Sequence, residues 1–380
     1  MTKILIGADL VPTKNNLDLF IRGSHQELLG RELAGIVEGA DYRIFNLETP
    51  LTDRETPISK KGPNLMAPVK SAEAFRSMGI NLFSLANNHI MDQGEPGLHS
   101  TMETLETMGI SHVGAGKNLE EAKKPFYFNA GNMVCGVYAC AEHEFSIAGE
   151  DSPGANPFDP LESPDHISEM KQRCDYLIVL YHGGKEQYRY PSPLLQKKCR
   201  KMAEKGADLV VCQHSHCIGC KEEYRGATIV YGQGNFLFAK NDNEFWNSGL
   251  LIQLQIDENV QIQYIPIRRN GYAVGAMDEQ EGTEVLQGFF SRSEEIRKNG
   301  FIEDKYTEFA VENCPGYILY FLGLSDRFLY RLFNKLSGQK LRKRITMKAL
   351  KKRRLGMQNY IECEAHRELL LKGMKAYDDR

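Results

Sequence analysis

A chain of 380 residues with 42% hydrophobic and 26% charged residues has the balance of a folded globular protein, long enough for one large domain and an appendage or for two domains. A net charge of -3 singles out no class of partner, and nine irregularly spaced cysteines argue against a disulfide framework and for a reducing compartment. No apolar run approaches the ~20 residues of a membrane-spanning helix, and residues 1–6 read as a strand instead of a secretion signal. The expected location is the cytoplasm, with a peripheral membrane association left open.

The first part of the chain alternates short apolar runs with helix-like stretches, the pattern of an α/β fold. Residues 3–10 form the first expected strand, ending at Gly7-Ala8-Asp9. Residues 24–40 carry Leu28, Leu29, Leu33 and Ile36 on one helical face. A second strand at 42–47 stops at Glu48 and Pro50. The long irregular loop over 51–68 contains Lys61, and loops of that length in compact domains are often functional. A helix at 69–78 precedes a strand at 80–85, which runs directly into Ala86-Asn87-Asn88-His89.

A helix at 96–108, strands at 110–113 and 132–140, and a loop at 146–161 follow. Residues 175–181 are the most strand-like run and end at His182. Pro191 and Pro193 open a helix over 193–205. An apolar run at 207–211 leads to His214-Ser215-His216, and residues 248–256 and 260–267 pair as antiparallel strands around Asp257, Glu258 and Asn259. The character then turns helical and charged, so two domains are expected, 1–275 and 276–380.

Within the second, residues 331–354 hold eleven Lys or Arg and no Asp or Glu. Leu332, Leu336, Leu341, Ile345 and Leu350 are interleaved at the spacing of an amphipathic helix. Such a helix suits an anionic membrane surface or a polyanionic polymer; the plain alternative is a solvated face packed on the main domain. No nucleic-acid-binding fold accompanies it.

Groups able to ligate a metal recur at one place, just past the end of a strand: Asp9, Glu48, Asn88 with His89, His182, and His214 with His216. In open α/β sheets this edge gathers the loops that build active sites. In an extended segment the side chains of His214 and His216 point the same way, so both rings reach one cluster. Each residue alone has a structural alternative: Asp9 as a helix cap, Asn88 in an Asx-turn, His182 as a satisfied core histidine. Mixed carboxylate, amide and imidazole ligands suit a pair of Mn, Fe or Zn ions, not a cysteine-held zinc. Cys217 and Cys220 form a CxxC without a matching pair and read, with Cys212, as packing residues.

These segments resemble the CapA-type proteins of bacterial poly-γ-glutamate capsule synthesis, a branch of the calcineurin-like metallophosphoesterase superfamily. The resemblance runs from about residue 3 to residue 240 and rests on Gly7-Ala8-Asp9, Asn46-Leu47-Glu48, Asn88-His89 with Asp92 and Gly94, and His182 with Gly184 and Glu186. Gly206-Ala207-Asp208, His214-Ser215-His216 and residues 231–236 complete it. It implies a four-layer α/β/β/α sandwich with a helical C-terminal region and two divalent metal ions. Asp9 and His216 would hold the first ion, Glu48 would bridge, and Asn88, His182 and His214 would hold the second. His89 would protonate a leaving group, Glu186 would orient His182 or the attacking water, and Lys61 would meet an anionic substrate, unless it is a solvated loop cation.

The implied activity is metal-dependent phosphoesterase-like hydrolysis in capsule or envelope polymer metabolism. The alternative is a non-catalytic component of a capsule synthesis complex, with 331–354 as a contact for its other proteins. The chain departs from the superfamily pattern at Val11, where a histidine is usual. It departs from the family at Gly183, where tryptophan is common, and at Cys212-Gln213, where Gly-His usually precedes the histidine pair.

Overall fold

The structure is a computed structural model that describes residues 1–238, 243–324, 335–336, 338 and 340–378. In chain order the strands are β1 (Thr2–Leu10), β2 (Tyr42–Leu47), β3 (Leu82–Ser84), β4 (Ser111–Val113), β5 (Ala115–Gly116), β6 (Phe126–Ala130), β7 (Met133–Ala141) and β8 (Gly154–Ala155). They continue with β9 (Tyr176–His182), β10 (Leu209–Gln213), β11 (Lys221–Tyr224), β12 (Ala227–Tyr231), β13 (Asn235–Leu237), β14 (Ser248–Ile256), β15 (Val260–Asn270) and β16 (Ala273–Ala276). One sheet has the order β16-β15-β14-β1-β2-β3-β4 with β13 alongside β1, and a second has the order β11-β12-β10-β9-β7-β6.

The period-2 alternation of the second sheet explains how it is buried on both faces. Ile178, Leu180, Leu209 and Val211 join an apolar cluster with Ile4, Ile6, Ile44 and Ile252 of the first sheet. Leu177, Val179, Val210 and Cys212 face the other way, onto Ile167, Met170, Leu195 and Met202. Those four belong to the helices Ser163–Lys171 and Pro193–Glu204. Across the first sheet, the helix His25–Glu38 buries Leu28, Leu29 and Leu33. The layering is helix, sheet, sheet, helix, as expected. The helix expected at 24–40 is broken by Gly30, whose φ of 67° is open to glycine and strained for other residues.

The antiparallel pair β14–β15 is in the anticipated register, with Ile256 opposite Val260. Two compact units divide the chain, Met1–Glu303 and Asp304–Arg380. The division falls later than the change of character at 276 suggests, because helix Glu279–Glu295 packs its buried Phe289 into the core of the first unit. In the second unit, helix Lys340–Glu362 carries most of the basic stretch, while residues 331–334, 337 and 339 of that stretch lie outside the described residues. Among the described residues no helix is long and apolar enough to cross a membrane.

Candidate metal centre

β1, β2 and β3 run parallel, as do β9 and β10, and the candidate residues sit at their carboxyl ends. The close approach of β1 to β2 requires Gly7, since a Cβ there would lie 2.0 Å from the Phe45 ring. Beneath the site the two sheets are tied together through side chains: Gln213 Nε2 donates to Gly7 O at 3.2 Å and to Gln233 Oε1 at 3.2 Å. Gln233 Nε2 in turn donates to Ile6 O at 3.1 Å.

Two groups of ligand atoms meet there, Glu48 with His182 and His214, and Asp9 with Glu48 and His216. Within each group the atoms lie within 4.8 Å of one another, and all five residues are buried. Glu48 belongs to both. His182 Nε2 faces Asn88 Oδ1 at 3.1 Å, His214 Nδ1 at 3.1 Å and Glu48 Oε1 at 3.3 Å. Separations near 3 Å are those of neighbouring ligands around one cation, because a metal–nitrogen bond is about 2 Å. On the other side His216 Nδ1 lies 3.4 Å from Asp9 Oδ2, a buried carboxylate oxygen with no hydrogen-bond donor. Burying an unsatisfied carboxylate oxygen is costly, and a cation is the natural partner for it. The donor set fits divalent metal ions.

Burial holds His182 neutral, its pKa well below the ordinary imidazole value, with the charges of His214, His216 and His89 acting in the same direction. Burial also lowers His214, aided by His216 and opposed by Glu144, Glu186 and Glu142. Neutral imidazole is the metal-ligating form.

The histidine pair is not in the extended segment that its spacing suggests. β10 ends at Gln213, and His214 and His216 have φ of 80° and 51°, a left-handed conformation that costs of order 1–3 kcal/mol at each non-glycine residue. The strained turn spreads the rings to 6.1 Å between centroids, so one serves each ligand group. His216 stacks on Trp246, ring centroids 4.4 Å apart. Val11 packs with Trp246 and Phe238, so an apolar cluster fills the position where the superfamily usually has a histidine.

His89 is buried beside the ligands. Its Nδ1–H donates to Asp92 Oδ2 at 2.6 Å. Asp92 also accepts from Leu65 N at 2.6 Å and forms an ion pair with Lys60, whose Nζ lies 3.2 Å from His89 Nδ1. The loop over 51–68 therefore does reach the site, but through Lys60; Lys61 is exposed. Glu186 is exposed as well, and His182 takes its orientation elsewhere, with Nδ1 3.4 Å from Asn46 Nδ2. At Gly183 a Cβ would meet Glu142 Cγ at 2.6 Å. The space beside that glycine is taken by Glu142, which accepts from Gly184 N at 3.2 Å.

The sequence alone marks no role for Lys60, Asn46 or Asn235. Asn46 and Asn235 lie within the Asn46-Leu47-Glu48 and 231–236 segments, and that placement is the signal that points to them. No cysteine belongs to either ligand group, and Cys217 and Cys220 are buried with no disulfide.

A two-sheet sandwich that gathers aspartate, glutamate, asparagine and histidine at its strand ends is a fold of the metallophosphoesterase type. Within that class, the chain belongs to the family described as bacterial capsule synthesis protein PGA_cap, which matches residues 9–240. It is 30% identical over 229 residues to the PGA biosynthesis protein CapA of Bacillus subtilis (strain 168), covering 59% of this chain and 60% of that protein. It is 27% identical over 238 residues to the capsule biosynthesis protein CapA of Bacillus anthracis, covering 60% of this chain and 58% of that one. The match thus spans less than two thirds of either relative. A solved structure of a novel phosphatase from Mycoplasma pneumoniae superposes with a TM-score of 0.43 at 13% identity, covering 70% of this chain and 93% of that one.

Proposed function

We propose that the chain is a metal-dependent hydrolase of phosphoesterase type, acting in capsule or envelope polymer metabolism on an anionic substrate, either a phosphoester or an anionic polymer. The observation that carries this reading is the pair of buried ligand groups sharing Glu48. Divalent cations held there, two of Mn, Fe or Zn, would neutralise charge on phosphoryl oxygens and acidify a water for in-line attack.

Asp9 and His216 hold one side, Asn88, His182 and His214 the other, and Glu48 spans both. His89 delivers a proton to the leaving-group oxygen. Its Nδ1 is committed to Asp92, which fixes the ring and assigns delivery to Nε2. Glu186, whose charge acts on His214, orients the attacking water. Lys61 meets the substrate anion from the exposed loop. The basic face of helix Lys340–Glu362 offers an anionic membrane or polymer a contact.

The test is metal content after purification, followed by hydrolysis of an aryl phosphate with added Mn2+, against His214→Ala. The expected result is roughly two equivalents of metal and activity that the variant loses. Substoichiometric metal with no activity above the variant rejects the hydrolase. That outcome supports the second reading, a non-catalytic component of a capsule polymer synthesis complex, which the apolar packing of Val11 favours.

A further inference from the structure

The two ligand groups are unequal. Around His182 four side chains converge: Glu48, Asn88, His182 itself and His214. Around His216 the sequence supplies Asp9 and Glu48, and the position of the usual fourth ligand is Val11, 2% exposed and packed with Phe238 and Trp246. An imidazole at residue 11 would have to displace that apolar cluster.

A different side chain stands at the gap. β13 runs parallel to β1 with Asn235 in register with Asp9. The Asn235 side chain is buried, 4% exposed. Its Oδ1 lies 2.9 Å from His216 Nδ1, the same nitrogen that stands 3.4 Å from the donor-less Asp9 Oδ2. Its Nδ2 points away, 3.5 Å from His216 O. The amide oxygen and the carboxylate oxygen thus both stand beside the same imidazole nitrogen, each at a separation suited to neighbouring ligands of one cation.

We propose that Asn235 is the fourth protein ligand of the first metal position, replacing the imidazole absent at Val11. The inference rests on the metal-centre reading of the site. Its consequence is chemical. The first position then has three oxygen donors and one nitrogen, from Asp9, Glu48, Asn235 and His216. The second has two of each, from Glu48, Asn88, His182 and His214. Oxygen-rich sites favour Mn2+ or Mg2+ relative to Zn2+, and imidazole-rich sites favour Zn2+. The two positions differ in metal preference, and the first is the exchangeable one.

The chain provides its own probe. Its single tryptophan, Trp246, stacks on His216 and reports on the first position. Full-length protein is titrated with Mn2+ and, separately, Zn2+, following Trp246 emission, with total uptake measured by calorimetry. Wild type is compared with Asn235→Leu and Asn235→His, and thermal melting verifies that both variants fold. In Asn235→Leu, the emission-reported Mn2+ affinity is expected to fall by about tenfold or more while the second uptake event persists. In Asn235→His, the ratio of Zn2+ to Mn2+ affinity at the reported position is expected to rise.

If Asn235 only orients His216, Asn235→Leu weakens both metals by one factor and Asn235→His leaves their ratio unchanged, which overturns the proposal. Wild type that takes up no metal overturns the metal-centre reading itself. Uptake at the second position with no emission change at Trp246 overturns the first position alone.

Discussion

Asn46 Nδ2 donates to Asp9 Oδ1 at 2.8 Å, and this bond decides which oxygen of Asp9 faces the site. Oδ1 is held from behind and Oδ2 is turned toward His216. Asn46 is itself held by Asn87, whose Nδ2 donates to Asn46 Oδ1 at 3.1 Å. Supporting partners of this kind fix ligand orientation and are typically worth 10–100-fold in metal affinity. Asn46→Ala is therefore expected to weaken metal uptake by at least tenfold, read by calorimetry, while the variant remains folded by circular dichroism. Unchanged affinity would mean that Asp9 needs no such support.

Lys60 and Lys61 separate two effects that their adjacency hides. The Lys60 and Asp92 side chains are 3% and 0% exposed, so Lys60→Met removes the cationic partner of a buried carboxylate. Breaking such a pair costs about 3–5 kcal/mol. Exposed Lys61→Met is expected to stay within about 0.5 kcal/mol of wild type. Urea unfolding of the two variants measures this directly; equal stabilities would contradict the closed Lys60–Asp92–His89 arrangement.

Metal-free protein is expected to lose stability in mild acid. His182 is buried and neutral when folded, with its pKa depressed, but takes the ordinary value of about 6.5 when unfolded. Below that value the unfolded chain binds the extra proton, so stability rises with pH up to about 6.5 and falls as pH drops beneath it. Melting temperatures of metal-free wild type between pH 5 and 8 should show the slope, and His182→Asn should flatten it. A slope identical in the variant would remove His182 as the cause.

Helix Lys340–Glu362 exposes Lys343, Arg344, Lys348 and residues 351–354. Vesicles containing anionic lipid are expected to retain the protein in low salt, and neutral vesicles are not. Equal partitioning onto both would leave the basic face as solvated surface.

The strand ends were legible because each apolar run stops abruptly at a residue suited to metal ligation, as at Leu47-Glu48 and Tyr181-His182. β9 and β10 were legible as strands because each is an unbroken apolar run, the pattern of a strand covered on both faces. The turn at His214 and His216 was not, because nothing in the spacing reveals a left-handed backbone. The loop over 51–68 has no periodicity, so sequence could not tell Lys60 from Lys61. Only the fold of that loop around Asp92 does. Trp246 is distant in sequence from His216 and meets it only in the folded unit.

Glu48 is expected to span two metal positions. Anomalous diffraction from crystals of the protein loaded with Mn2+ tests it most directly. Two peaks flanking the Glu48 carboxylate, roughly 3.5–4 Å apart, are predicted, one beside Asp9 and His216 and one beside His182 and His214. Density free of any anomalous peak within reach of Glu48 would contradict it.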